Sequence, residues 1–158
     1  MTRFEFPAGK LVLYVLISRV NAVVLWVMAT LWFGVPFKGN LLFFLAASLV
    51  FVLSSTGIGL LVSLLVRTQI AALLITMIVS ILPTILYSGL IVPVSSLSPG
   101  SQIQAHLFPS MYYTNIVRGA FLKGVGLEVL WVDVLALAVY AAVMRIVGYR
   151  LFTKRPQS

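Results

Sequence analysis

Four long apolar runs constrain this chain more than anything else in it. Leu11 to Phe33, Leu41 to Val66, Ile70 to Val92 and about Leu127 to Phe152 carry few charged or polar side chains. Crossing the hydrocarbon core takes about 20 helical residues, and a helix satisfies its own backbone polar groups where lipid cannot. Each run meets that length. A chain of 158 residues that is 61% hydrophobic and 9% charged also holds too much apolar surface for one soluble core. The sequence therefore predicts an all-α polytopic membrane protein with about four transmembrane helices, organised as a single membrane domain over residues 1–158.

The first run is a permanent span, not a cleaved leader. It is longer than the about 7–15 residues of a signal-peptide apolar region and ends in Trp32-Phe33 with no small-residue cleavage pattern. Gly34-Val35-Pro36-Phe37-Lys38-Gly39-Asn40 then breaks the helix and permits a reversal, and Arg67-Thr68-Gln69 separates the second span from the third.

Residues from about 94 to 126 depart from this pattern. They are apolar but interrupted by Pro99, Gly100, Pro109 and Gly119, so no piece is long enough to cross. Ser98 is placed to cap a short helix with Pro99 at its first position, with Ile103 and Leu107 on one face and Gln102, Gln104 and His106 on the other. A second short helix is predicted from about Met111 to Leu122. Together they make a re-entrant pair before the last span.

Net charge is +8, from eleven basic residues against three acids. In a soluble protein this would suggest nucleic acid, but here the cations sit mostly at the edges of apolar runs, where they set orientation. With the N-terminus inside, Arg3, Lys10, Arg67, Arg150, Lys154 and Arg155 lie in or beside the cytoplasm; Lys38, Arg118, Lys123, Glu128 and Asp133 lie outside. Both termini are then cytoplasmic and the broken segment is external.

Catalytic and metal-binding chemistry finds little support. The chain has one histidine, three acids and no cysteine, and it lacks paired-carboxylate, HExxH and GxxxxGK[ST] patterns. No cofactor is expected, and ATP chemistry would have to reside on another polypeptide. Packing features are clearer. Ser55, Gly59 and Ser63 recur every fourth residue on the second span, as in a helix-packing seam or a moving interface. Pro83 removes an amide and frees the Val79 carbonyl; with Ser80, Thr84, Tyr87 and Ser88 nearby, this stretch is either a kink or the lining of a polar path. Arg19 and Asn21 lie within the first span, Arg19 about 13 Å beyond Lys10 by helical rise. Contact with a partner helix or with headgroups accounts for such a residue. Arg118, beside Tyr112, Tyr113 and Asn115, suits lipid phosphate or an external gate, and Arg145 a snorkelling position.

Several strings, taken in order, resemble the C-terminal half of a bacterial type-2 ATP-binding-cassette (ABC) exporter permease, the class with a large extracytoplasmic domain. They are Trp32-Phe33-Gly34-Val35-Pro36 with Lys38-Gly39, Gly57-Ile58-Gly59-Leu60-Leu61-Val62-Ser63, Arg67-Thr68-Gln69, Ser88-Gly89-Leu90-Ile91-Val92-Pro93, and Pro109 with Tyr112 or Tyr113 before Val117-Arg118-Gly119-Ala120-Phe121-Leu122-Lys123-Gly124. The resemblance implies a permease subunit in a bacterial inner membrane that dimerises, engages two cytoplasmic ATPase subunits and moves substrate outward, with the re-entrant helices near the exit. Pro83, Tyr87, Tyr112, Tyr113 and Arg118 are its candidate path or gate residues. Counted against that family, the chain begins just before the third of six expected spans. A half permease is the expectation, whether as gene fragment, mis-called start or split subunit. The competing reading is a non-transporting remnant or scaffold acting on a complete permease; a lipid-directed enzyme ranks below both for want of a nucleophile.

Overall fold

The computed structural model describes residues 5–89 and 91–153, with side chains described from residue 12 to 151 except at Leu90. Arg3, Leu90, Lys154 and Arg155 lie outside the described residues, as does the side chain of Lys10. Among the described residues the secondary structure is entirely helical: α1 (Glu5–Val27), α2 (Leu41–Leu65), α3 (Gln69–Tyr87), α4 (Pro99–His106), α5 (Pro109–Arg118) and α6 (Leu127–Thr153). Four of these, α1 with its C-terminal extension, α2, α3 and α6, are long and apolar enough to span a membrane.

Local chemistry explains the boundaries. The first run does not end with α1: Met28–Trp32 widens into a π-helical turn, stopped by Gly34 at φ +62°. Asn40 caps α2, its side chain accepting from the Leu42 amide at 2.9 Å, and Thr68 caps α3 through the Ala71 amide at 3.4 Å. The third apolar run was expected to be helical to Val92, but α3 ends at Tyr87. Gly89 takes φ +75° and turns the chain before Pro93, so hydropathy continues where the helix does not. Similarly, the second short helix covers Pro109–Arg118 and then loosens into a π-helical turn over Gly119–Lys123, ended by Gly124 at φ +66°.

The packed core lies between α2, α5 and α6. Ala47, Ile116, Leu130 and Leu137 are buried together, with Phe43, Val50, Phe51 and Tyr113 packed against them. Two serines add polar ties. Ser54 donates to Val50 O at 2.9 Å and approaches Leu137 O on α6 at 3.2 Å. Ser48 donates to Phe44 O at 2.8 Å, so the Tyr113 hydroxyl, also 2.8 Å away, is its donor. By contrast α3 has no buried residue, and α1 is almost wholly exposed. Their leucines, isoleucines and valines face outward, as lipid-facing surface does.

Helix direction alternates, so the 34–40 loop and the 88–126 segment share one end of the bundle, and the turn at Arg67 the other. At the first end the two segments interlock. Phe37 meets Phe121 edge to face at 4.9 Å, and Phe121 meets Phe44 at 5.5 Å. A Cβ on Gly39 would stand 2.7 Å from Ala120 O, and one on Gly124 would stand 3.0 Å from Lys38 O. Only glycine lets these backbones approach so closely.

Candidate functional site

The end of the bundle that carries α4 and α5 holds most of the polar side chains singled out in the sequence. Tyr87, in the last turn of α3, donates to Gln104 Oε1 on α4 at 2.8 Å, and its ring stacks on Phe108 at 6.2 Å. Arg118 donates from Nη2 to Gly89 O at 2.5 Å. Its guanidinium thus ties the end of α5 to the left-handed turn that ends α3. This is a charge-assisted hydrogen bond, among the stronger kinds. Tyr112 donates to His106 O at 3.1 Å, and His106 Nδ1 donates in turn to Gln102 O at 2.7 Å. The predicted cap of α4 differs in detail. Ser98 sits at the N-cap with Pro99 following, but its hydroxyl pairs with the Ser101 hydroxyl at 3.0 Å instead of a first-turn amide.

Tyr113 and Tyr112 therefore do different work although they are adjacent. Tyr113 turns into the core, stacked on Phe51 at 4.3 Å and bonded to Ser48; burial raises its phenol above the usual range, against a smaller opposite effect of the Ser48 hydrogen bond. Tyr112 lies at the rim, and burial first, then the nearby Asp133 carboxylate, raises its phenol as well. Both remain protonated donors at neutral pH. Asn115 completes the link to α6, with Nδ2 at 3.3 Å from Asp133 Oδ1.

Behind this rim, between α2, α3 and the α4 to α5 elbow, lies a cavity of about 130 Å³. Ser55 contributes from α2, Ser80 and Thr84 from α3, and Ser110 from α5; Phe51 and Phe108 are its aromatic walls. Pro83 sits one residue from Thr84 inside α3, where the missing amide leaves the Val79 carbonyl without its helical donor, and Val79 too lines the cavity. Thr84 gives its own proton to Ser80 O at 2.5 Å. Ser110 is 5% exposed, and its hydroxyl oxygen is buried with no hydrogen-bond partner.

The predicted seam of Ser55, Gly59 and Ser63 does not lie on the tightest helix contact. Gly59 is turned to α3, where a Cβ would stand 4.0 Å from Thr76 Cγ2, and Ser63 is exposed. The closest approach is at Gly57, whose Cβ would fall 2.7 Å from Met144 Cβ on α6, and at Gly148, whose Cβ would fall 3.0 Å from Leu60 Cδ2. Fourfold spacing marks one stripe of a helix, but not which neighbour that stripe meets. Ser110 also escaped sequence reasoning. The signal was Phe108 at an N-cap position, where a side-chain acceptor is usual, followed by Pro109 at the first helical position. Among the described residues no three histidines or carboxylates come together to hold a metal.

Four membrane-length helices and a broken, polar-tied segment before the last one define a multi-pass membrane protein. The chain belongs to the ABC-2 family of transporter proteins, whose family model matches residues 1–150. That family is a membrane transport component. No significant match is found among curated proteins or among solved structures.

Proposed function

We propose that the chain forms part of the substrate path of an ABC-type exporter, powered by a separate ATPase subunit and completed by a second permease copy or a complementary half. It lies in the bacterial inner membrane with both termini cytoplasmic, α4 and α5 then facing outward. The observation that carries this reading is the pair of polar ties, Tyr87 to Gln104 and Arg118 to Gly89, by which the broken segment holds the end of a span that buries no residue of its own. In this reading α4 and α5 cap the path and α3 moves against them. Tyr87, Tyr112 and Arg118 form the gate, Pro83 marks the flexible part of α3, and Tyr113 anchors the cap to the core.

The chain contains no cysteine, so engineered pairs can be cross-linked on a clean background. With Tyr87→Cys and Gln104→Cys together, a bifunctional methanethiosulfonate reagent that spans the length of the two replaced side chains should join α3 to α4. The variant is to be reconstituted in liposomes with candidate ATPase subunits and any complementary membrane half encoded beside it. The expected result is ATP-dependent efflux that is lost on cross-linking and regained when the linker's disulfides are reduced. Efflux indifferent to a complete cross-link would remove the gate. Absence of efflux for the unmodified chain with every partner would favour the scaffold reading.

A further inference from the structure

Arg19 is a cation set inside a membrane-length helix, and we propose that it is the docking point on α1 for a transmembrane helix of another chain that carries an aspartate or glutamate near mid-membrane.

Depth sets the first limit. The apolar stretch formed by α1 and its extension is Val12–Trp32, so Arg19 stands about 10 Å from one end and about 20 Å from the other. An arginine side chain that bends to the nearer headgroups covers only part of that distance. Nor can Arg19 shed its charge, because a guanidinium keeps its proton in proteins. A cation so placed is costly in hydrocarbon unless an opposite charge or water meets it.

The fold sets the second. Ala22 is buried, with Ser18 and Trp26 half-buried, and this stripe faces α2, the helix on which α1 packs. Arg19 lies about 60° round α1 from Ala22, and Asn21 about 100° round the other way. Both side chains are exposed on the flanks of the stripe, and among the described residues neither has a hydrogen bond or an ion pair. A further helix laid beside α1 and α2 would meet one of them.

Charge sets the third, and it selects the partner. The arginine fork matches a carboxylate with two parallel hydrogen bonds, and such bonds strengthen where water is excluded. The acids with described side chains do not supply that carboxylate. Glu128 and Asp133 lie in the first two turns of α6, and Asp133 is turned to Asn115 on α5 at 3.3 Å. A second copy brings the same acids in the same places, so the carboxylate is assigned to a different chain.

That this other chain is the complementary half rests on the transport reading; association itself needs neither ATP nor substrate, so the two fail separately. The full chain in phosphatidylcholine nanodiscs would be titrated with a tryptophan-free leucine-alanine peptide of membrane length, dansylated at one end and carrying Glu in its central turn. Energy transfer from the chain's own tryptophans reports association, and matched peptides carry Gln or Lys in place of Glu. We expect saturable transfer with the Glu peptide, binding about tenfold weaker with Gln, and only the background of random mixing with Lys. Arg19→Leu should erase the difference between Glu and Gln, Arg19→Glu should favour the Lys peptide instead, and Asn21→Leu, on the other flank, should leave the Glu preference intact. The peptide series on the unmodified chain decides the matter even if a variant fails to fold. Equal binding of the Glu and Gln peptides, a Glu preference that survives Arg19→Leu, or no saturable transfer would each overturn the proposal. So would a preference abolished by adding phosphatidylglycerol to the disc, which gives Arg19 to a headgroup, or a two-copy complex that Arg19→Leu disrupts and the Glu peptide does not, which gives it to a second copy.

Discussion

Gly57 is the position where one added carbon should test the helix packing most sharply. A Cβ there would stand 2.7 Å from Met144 Cβ and 3.6 Å from Met144 Cγ. Carbon pairs prefer about 3.5–4.0 Å, so Gly57→Ala must part α2 and α6 by about 1 Å. The obstacle is a Cβ fixed to its backbone, so no rotamer change of Met144 relieves it. Overpacking of this kind costs about 1–3 kcal/mol, while replacing a mid-helix glycine by alanine returns about 0.8–1 kcal/mol. The net effect runs from near zero to a loss of about 2 kcal/mol, or a fall in Tm of up to about 8 °C for a chain of this size. Gly59→Ala is the internal control, since its Cβ would meet only Thr76 Cγ2 at an ordinary 4.0 Å. Thermal unfolding of purified variants in one detergent should show Gly57→Ala lowered and Gly59→Ala unchanged or slightly raised. Met144→Ala should not rescue Gly57→Ala, because it keeps the Cβ; Met144→Gly should rescue it in part. Equal melting of the two glycine variants, or rescue by Met144→Ala, would refute the packing argument.

Two further outcomes follow from particular contacts. Tyr113→Phe removes the donor to Ser48 while the stack on Phe51 stays and Ser48 keeps its own bond to Phe44, so stability should fall by about 1 kcal/mol; a loss above about 3 kcal/mol in the same melting assay would mean the phenol supports more than this bond. For orientation, single cysteines at Gln104 and at Thr68 should respond to a membrane-impermeant thiol reagent on intact cells in opposite ways. Gln104→Cys reacts and Thr68→Cys does not; the reverse pattern inverts the topology.

How much could be read from sequence divides by the kind of physics involved. Spans were legible because hydropathy over a membrane-length window is a one-dimensional property, and Leu41 to Val66 became α2 within one residue. The end of the third span was not, because Ser88-Gly89-Leu90-Ile91-Val92 stays apolar while the φ of Gly89 turns the chain. Proline and glycine placed the two short helices, although α5 gives way at Gly119 to a wider turn. Partners across the fold were the least legible. Nothing local in Val117-Arg118-Gly119 shows that Arg118 reaches the Gly89 carbonyl, or that Phe121 enters the ring cluster with Phe37 and Phe44. Yet these contacts join strings that carried the family resemblance. Lys38-Gly39 packs on Ala120 and Gly124, and Ser88-Gly89 meets Arg118. The resemblance therefore reports the architecture at one end of the bundle more directly than it reports a substrate.

That architecture is unequal in a way that bears on movement. The helices α2, α5 and α6 share a buried core and interhelical hydrogen bonds, whereas α3 has no buried residue, and two polar ties and the stack of Tyr87 on Phe108 act at its end. Lipid tails are as apolar as leucine, so moving the outward side chains of α3 from one apolar neighbour to another changes little. The ties set the scale. A neutral hydrogen bond is worth about 1 kcal/mol and one to a charged group about 1.5–3 kcal/mol, so the two ties together contribute at most about 2.5–4 kcal/mol. On these ties alone an undocked state would have a population of about 0.1–2%. A partner that binds the undocked state better by that same difference would make the two states equal, and one with no such preference would shift nothing however tightly it bound. Removing the Arg118 tie lowers the difference most, because it is the charged one. In the transport reading proposed above, coupling to an ATPase would require contact that distinguishes two positions of α3, the helix with no buried residue, on which so small a difference can act.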